Sequence, residues 1–217
     1  MPDTLCMSAL SALRVSHRTT AVIVTIFGVA HLSNHLTALV SVGAHLHFME
    51  QLRMVYRQPV IETGLLVCVT FQAASGLWLV CSNWKARCGV IEWLQAASGT
   101  YLALFLVIHV AAVLIGRAIY GLDTNFHFAA AGLHVRPFEY FFAPYYFLAV
   151  LALFTHLGCA LSWYVGSRRR LRVFVIALSV SIVVVISTLI LAALMGKIYP
   201  YEVPEQYRNT YRMQQTD

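Results

Sequence analysis

The chain has 217 residues, of which 59% are hydrophobic and only 11% are charged, and its formal net charge is +6. A water-soluble domain is nearer about one half apolar and one quarter charged, so this composition excludes an ordinary soluble enzyme. With a mean hydropathy of +0.71, we expect an all-α integral membrane protein that forms a single transmembrane domain over residues 1–217.

Five apolar runs predict five transmembrane helices, because each is long enough to cross a hydrocarbon core of roughly 30 Å. The runs cover residues 20–42, 60–82, 98–119, 142–165 and 172–196. The link after the first run, LHFMEQLRMVYR, is amphipathic and is expected to lie in the membrane interface. The fifth run has no ionisable residue between Arg172 and Lys197, which predicts a peripheral, lipid-facing helix beside a bundle of the other four.

The distribution of basic residues indicates the direction in which the chain crosses the membrane. With the N-terminus inside, the inner segments hold eight basic residues against two acidic ones, a net charge of +6, and the outer segments hold seven of each. The link GSRRRLR at 166–172 is short and densely basic, and such links favour the inner side. We predict that the N-terminus is inside and the C-terminus outside. The basic inner face suits anionic lipid headgroups or a soluble partner.

The two halves of the chain resemble one another in order. Each reads as a helix, a long outer link rich in polar and aromatic residues, and a second helix. The comparison of FGVAHLSNHL with FLVIHVAAVL aligns His31 with His109, and the later helices align Gln72 with His156. Four spans therefore each carry a polar residue near their centre, where ionisable groups are costly and usually functional.

His31 and His109 are the strongest candidate site residues. His31 lies 11 residues beyond Thr20, and His109 lies 10 beyond Gly99, so at 1.5 Å per residue both are roughly 15–16 Å deep. The first and third spans run in the same direction, so the two imidazoles can face each other at one level. Two facing imidazoles are what the axial ligation of one haem iron requires.

Other readings of these positions stay open. An intramembrane histidine can instead form a hydrogen bond between helices. His35, one turn beyond His31, is an alternative ligand or a donor to a haem propionate. Gln72 is not a usual haem ligand, so its partner His156 is as well explained by a structural role as by a second haem.

The ordered set of these segments resembles the membrane-anchor cytochrome b subunit of succinate:quinone oxidoreductases and fumarate reductases, in its single-polypeptide, five-helix, di-haem form. The resemblance covers about residues 14–196. It is carried by AHLSNHL, by HFME at 47–50, by FQAASGLWL, by WLQAASG followed by VIHV, and by THLGCALSW.

The resemblance implies a site for each of two b-type haems. The outer haem would be ligated from the first and third spans, at His31 and His109, and the inner haem from the second and fourth, at Gln72 and His156. The chain departs from the family at Gln72, which leaves the count at one haem or at two with another ligand opposite His156.

The resemblance also implies partners and a quinone. The partners are a flavoprotein with FAD and an iron–sulfur protein, and this chain encodes neither chemistry, since it has no GxGxxG motif and no cysteine cluster. Two sets of residues are candidates for the quinone: Ser16, His17 and Arg18 at the inner end, and His47, Glu50 and Arg53 in the outer link. Arg53, Arg57 and Arg117 are candidates for haem propionates, because arginine binds carboxylates in a bidentate manner.

The chain is thus expected to be a membrane anchor that carries electrons to a quinone, in the bacterial cytoplasmic membrane or an equivalent energy-transducing membrane. It would have no dicarboxylate active site of its own. Two other functions remain: a stand-alone transmembrane cytochrome b, and a haem-free membrane scaffold or transporter.

Overall fold

A computed structural model describes residues 2–165 and 168–212 of the chain. Within those ranges the backbone forms eight α-helices and two short 3-10 turns. The helices are α1 (Pro2–Thr37), α2 (Val42–Tyr56), α3 (Pro59–Ser82), α4 (Val90–Ala118), α5 (Phe126–Ala131), α6 (Glu139–Ser162), α7 (Arg169–Leu194) and α8 (Glu205–Arg212).

Five of these helices are long and apolar enough to cross a membrane, which confirms the predicted all-α membrane class. The spans are Leu10–Thr37, Pro59–Ser82, Val90–Ala118, Glu139–Ser162 and Arg169–Leu194. Consecutive spans run in opposite directions. One end of the bundle carries the segments 38–58, 119–138 and 195–212, and is here called the loop-rich end. The other carries the link 83–89 and the described residues between α6 and α7, which are 163–165 and 168, and is called the short-link end.

The first span differs from its predicted bounds of 20–42. The helix begins much earlier, because no glycine or proline interrupts residues 3–27. It ends earlier, at Thr37, because the chain turns at 38–40 and Ser41 then caps α2, its Oγ accepting a hydrogen bond of 3.0 Å from Ala44 N.

The third span also begins earlier than its predicted start at residue 98. Gly89 adopts a φ of 115°, which only glycine tolerates readily, and α4 starts at the next residue. The carboxylate of Glu92 then accepts a hydrogen bond of 2.7 Å from Cys88 N. The polar residues Gln95 and Ser98 are therefore helical, and they lie inside the span rather than in the link.

The spans are arranged around the bundle so that α1 packs on α3, α3 on α4, α4 on α6, and α6 on α7. The most extensive contact is between α6 and α7, where Gly158 allows Ser179 to approach closely. At the loop-rich end α7 also contacts α1 and α5. Its remaining surface is apolar and exposed, as a lipid-facing helix requires.

The best-buried hydrophobic cluster lies at the loop-rich end. Phe126 and Ala130 of α5 have almost no exposed surface, and they pack against Ile190 and Leu194 of α7 and against Tyr207 of α8. The link between α4 and α6 is therefore a folded cap over this end of the bundle, which gives the polar residues in it fixed positions.

Gly132 provides a test of the packing in this cap. Its φ of −64° suits alanine, but an added Cβ would overlap the ring of Phe142. We expect Gly132→Ala to lower the free energy of unfolding by about 1–3 kcal/mol through overpacking, measured by thermal or denaturant unfolding in detergent. Gly64→Ala is the matched control, because no atom lies within 4 Å of its added Cβ. Equal stability of the two variants would contradict this account of the cap.

Candidate functional site

The structure brings His31 of α1 and His109 of α4 together inside the bundle. Their ring centres are 6.1 Å apart, with the ring planes inclined at 66°. Two imidazoles bound to opposite sides of one metal ion through bonds of roughly 2 Å have ring centres about 6 Å apart. The spacing of this pair therefore matches that of two axial ligands.

Each of these imidazoles is backed by a phenylalanine one helical turn earlier in the chain. Phe27 stacks on His31 with ring centres 5.8 Å apart, and Phe105 stacks on His109 at 5.1 Å. The i, i+4 spacing places each pair on one helix face. The sequence Phe-x-x-x-His thus occurs in α1 and again in α4, and the stacked ring restricts the orientation of each imidazole.

A row of polar groups continues from His31 toward the loop-rich end. The ring of His35 lies 4.8 Å from that of His31, and the ring of His45 of α2 lies 5.2 Å from that of His35. Asn34 Nδ2 is 3.1 Å from His45 Nε2. His45 is only 2% exposed. Burial, together with the charges of His31 and Arg53, lowers the pKa of His45 to about 4, so this imidazole is neutral at physiological pH.

Three buried polar atoms in this row have no hydrogen-bond partner: Asn34 Oδ1, His35 Nδ1 and His45 Nδ1. A buried polar group left unpaired costs about 1–3 kcal/mol, and native proteins usually satisfy such groups with water or a ligand. All three residues line one cavity with His31 and His109. The site therefore offers polar atoms to a group that enters this cavity.

Apart from Thr124 and Asn125, the rest of the cavity wall is aromatic and apolar, and includes Phe27, Tyr56, Phe128, Tyr145, Tyr146 and Tyr211. The residues present fit a haem in their chemistry: two neighbouring imidazoles for the iron, flat rings for the macrocycle, and unpaired imidazole nitrogens for its carboxylates. The cavity encloses about 180 Å³, less than the roughly 300–1,000 Å³ usual for small-molecule sites. A macrocycle thus enters only if the lining rings move apart.

The three arginines predicted to bind propionates all have partners within the protein. Arg53 is 7% exposed and pairs with Glu50 at 2.8 Å and with Asp123 at 2.7 Å. Arg57 donates to Thr124 Oγ1 at 3.2 Å, and Arg117 pairs with Glu62. These bonds tie α2 to the link after α4, and α4 to α3, so they stabilise the walls of the cavity.

The two predicted quinone sets lie outside the cavity. His47 and Glu50 are exposed on α2, whose buried face carries His45, Met49 and Arg53 at four-residue spacing. At the short-link end, Ser16 and Arg18 are exposed, while His17 is partly buried against α3.

The polar residues at the short-link level are not paired as the sequence predicted. His17 Nδ1 lies 2.7 Å from Ser75 Oγ, and Gln72 Nε2 lies 3.0 Å from His17 Nε2. The other side of the Gln72 amide accepts from Thr20 Oγ1 at 2.7 Å. The amide of Gln72 thus joins α3 to α1, and both of these hydrogen bonds are made with α1 rather than with His156.

His156 of α6 instead contacts α4. Its Nδ1 lies 3.0 Å from the backbone oxygen of Gln95 and 3.5 Å from Ser98 Oγ. Gly99 makes room for the ring, since an added Cβ would lie 2.8 Å from His156 Cε1.

The sequence analysis did not identify the repeated segment that contacts these two histidines. The pentapeptide QAASG occurs at 72–76 and again at 95–99, and each copy holds one imidazole. The alignment of the two halves paired Gln72 with His156, so it did not compare the segment of α3 with the identical segment of α4. A search of the sequence for repeated pentapeptides identifies the repeat.

Comparisons with known proteins add no family to this picture: no family model, no curated protein and no solved structure matches the chain. Within residues 2–165 and 168–212, there is also no group of three or more histidine, cysteine, aspartate and glutamate residues arranged to hold a metal ion.

The contribution of the buried Arg53 to stability can be tested through its partner Asp123. Asp123→Asn leaves the guanidinium of Arg53, 7% exposed, with one carboxylate instead of two. We expect a loss of about 1–3 kcal/mol in the free energy of unfolding, measured by denaturant unfolding in detergent. Glu205→Gln is the control, since it removes exposed pairs with Arg208 and Arg212 that contribute about 0–1 kcal/mol. A larger effect in the control would contradict the assignment.

Proposed function

We propose that this chain is the membrane anchor and electron-transfer subunit of a succinate:quinone oxidoreductase, with haem b bound between His31 and His109. The observation that carries the proposal is the meeting of two imidazoles from α1 and α4, with ring centres 6.1 Å apart, each backed by a phenylalanine. The resemblance of residues 14–196 to the five-helix anchor subunits supports the rest.

The residues of the site have distinct roles in this proposal. His31 and His109 would ligate the haem iron, and Phe27 and Phe105, which stack on them, would keep their rings in place. When bound, such a haem would supply single-electron transfer. The neutral imidazole of His45 and that of His35 would donate hydrogen bonds to the carboxylates of the group.

The short-link end supplies the docking surface for the partners in this proposal. Its basic residues are Arg14, Arg18, Lys85, Arg87, Arg168, Arg169, Arg170 and Arg172. Arg87 packs against Trp84 and Trp93, and Arg172 lies over the ring of Trp163 at 3.9 Å, so part of this charge is held in fixed positions. A flavoprotein and an iron–sulfur protein would dock here, on the inner side of the membrane.

A quinone would accept the electrons within this subunit or at its boundary. Ser16 and Arg18 favour the short-link end, because both are exposed close to the proposed docking surface. The enzyme would lie in a bacterial cytoplasmic membrane or an equivalent membrane, with the N-terminus inside.

The first prediction from this proposal concerns the haem. His31→Ala and His109→Ala should each abolish the haem held by this pair, because one imidazole cannot form a six-coordinate iron site. The measurement is the reduced-minus-oxidised spectrum of the purified protein together with haem content. His47→Ala, an exposed histidine outside the cavity, is the control and should keep its full haem content. Full retention in both cavity variants would show that the assignment is wrong.

The second prediction concerns the partners. A tagged copy of this chain, isolated from its own membranes in mild detergent, should bring with it a flavoprotein and an iron–sulfur protein, detected by flavin and iron analysis. Replacement of Arg168, Arg169 and Arg170 by glutamine should release both partners while haem content stays unchanged. Isolation of a haem protein free of flavin and iron–sulfur proteins would favour the stand-alone cytochrome b. Absence of haem would favour a scaffold or transporter.

A further inference from the structure

We propose that Tyr211, on the last turn of α8, is the gate of the cavity that His31 and His109 line, and that a flat aromatic group enters this cavity at the loop-rich end by displacing the ring of Tyr211. The gate itself depends only on how α8 packs on the cap. The nature of the group that passes it rests on the proposed function, in which that group is haem b.

The helix α8 is anchored at its start and presents Tyr211 at its far end. Val203, Tyr207 and Tyr211 follow one another at four-residue spacing, which places helical side chains on one face. Val203 and Tyr207 are each 3% exposed and belong to the buried cluster of the cap. Tyr211 is only partly buried, and it lines the cavity. The cap thus fixes the start of α8, while the end of the helix forms part of the cavity wall.

Tyr211 is held less firmly than Tyr145 and Tyr146, which line the same cavity. The hydroxyl of Tyr145 donates to a backbone oxygen of α4 at 3.3 Å, and that of Tyr146 donates to a backbone oxygen of α5 at 3.2 Å. Within the part of the chain that the structure describes, the hydroxyl of Tyr211 has no hydrogen-bond partner. Movement of this ring therefore breaks no hydrogen bond of its hydroxyl to a described residue.

Two phenylalanines hold the ring of Tyr211 in the wall. Its centre lies 5.1 Å from that of Phe138 and 5.5 Å from that of Phe142. Phe142 also lines the cavity, and it lies in close contact with Gly132 of the cap. Aromatic pairs of this kind are individually weak, and the end of a helix opens more readily than its interior. Tyr211 can thus leave the wall without movement of a transmembrane span.

The neighbouring walls at this end of the cavity are tied more firmly. Arg53 of α2 pairs with Asp123 of the link after α4 at 2.7 Å. Phe128 of α5 packs closely against Gly116 of α4, where an added Cβ would lie 2.7 Å from Phe128 Cε2. An opening on either side would separate an ion pair or close-packed helices, so the structure favours an opening at Tyr211.

The size of the cavity requires a part of its wall to move. It encloses about 180 Å³, whereas small-molecule sites usually enclose roughly 300–1,000 Å³. A flat group between His31 and His109 therefore needs the lining rings to part. Displacement of the Tyr211 ring would both enlarge the cavity and connect it with the exterior.

Charged groups cover the outside of the gate. Glu205 of α8 pairs with Arg208 at 2.6 Å and with Arg212 at 3.1 Å. Charged side chains are costly in the hydrocarbon core, so α8 is expected at the membrane surface, where the gate opens toward water. A water-soluble reagent can therefore report whether the gate is open.

The experiment measures how fast a thiol on the cavity wall reacts with a water-soluble maleimide. Ala129→Cys places that thiol on the wall, in the full chain as isolated from membranes, and mass spectrometry locates the label at this position. With Tyr211→Ala added, we expect labelling to be about tenfold faster, because the two ring contacts that close the wall are lost. Tyr211→Phe keeps the ring and should keep the slow rate.

Tyr199→Ala is the matched control, because Tyr199 lies in the same C-terminal segment but is 45% exposed, and it should leave the labelling rate unchanged. Elution of each variant at the position of the natural protein in size-exclusion chromatography shows that it folds. An unchanged rate in Tyr211→Ala would overturn the gate. An equal increase in Tyr199→Ala would also overturn it, since the whole segment would then have loosened.

The release of haem to an excess of apomyoglobin separates this inference from the proposed function. Release should be about tenfold faster in Tyr211→Ala, for the same loss of ring contacts, and unchanged in Tyr199→Ala. Equal release of haem from all variants would overturn the route and leave the proposed function intact. Faster labelling of Tyr211→Ala in a protein that binds no haem would overturn the proposed function and support the gate.

Discussion

An imidazole placed between apolar helices needs a hydrogen-bond partner for its N–H. An unpaired buried donor costs about 1–3 kcal/mol, which is a large share of a net folding stability of about 5–15 kcal/mol. At the short-link end the bundle meets this requirement with acceptors from neighbouring helices. His156 donates to the backbone of α4, and His17 donates to Ser75 of α3. The same bonds join helices, so the burial of each imidazole and the packing of its helix have one origin.

At the loop-rich end, by contrast, some buried polar atoms have no hydrogen-bond partner. Arg53 has two carboxylate partners and fixes α2 against the link after α4. Asn34, His35 and His45, beside it, retain buried atoms without partners. The cap is thus held by its ion pairs, while the row of imidazoles beneath keeps its hydrogen-bonding capacity for a bound group.

Hydropathy was sufficient to predict five spans, because a span depends on length and composition. The alignment of the two halves was sufficient to predict that His31 meets His109, although their depths were counted from Thr20 and Gly99 and the spans begin at Leu10 and Val90. The partners of other residues depend on how helices rotate about their axes, which periodicity does not reveal. Gln72 is the clearest case: the alignment of the two halves suggested a pairing with His156, whereas the rotation of α3 turns it toward His17 and Thr20. The three arginines were assigned to a ligand because their acidic partners Asp123 and Glu62 are distant in sequence, and the sequence alone did not show that they meet. The early starts of α1 and α4 were missed because polar residues were read as links, although no helix-breaking residue lies between them and the apolar runs.

His17 and His31 are separated by 14 positions on α1, which corresponds to roughly 21 Å along the helix axis. That is about two thirds of a hydrocarbon layer of roughly 30 Å. A charge carried over this distance within the bundle would cross about two thirds of the membrane's electric field. Since a full crossing of one elementary charge is worth about 2.3 kcal/mol per 100 mV, the free energy of such a step would change by about 1.5 kcal/mol for each 100 mV of membrane potential. Any charge transfer between the two levels of α1 would therefore respond to how strongly the membrane is energised.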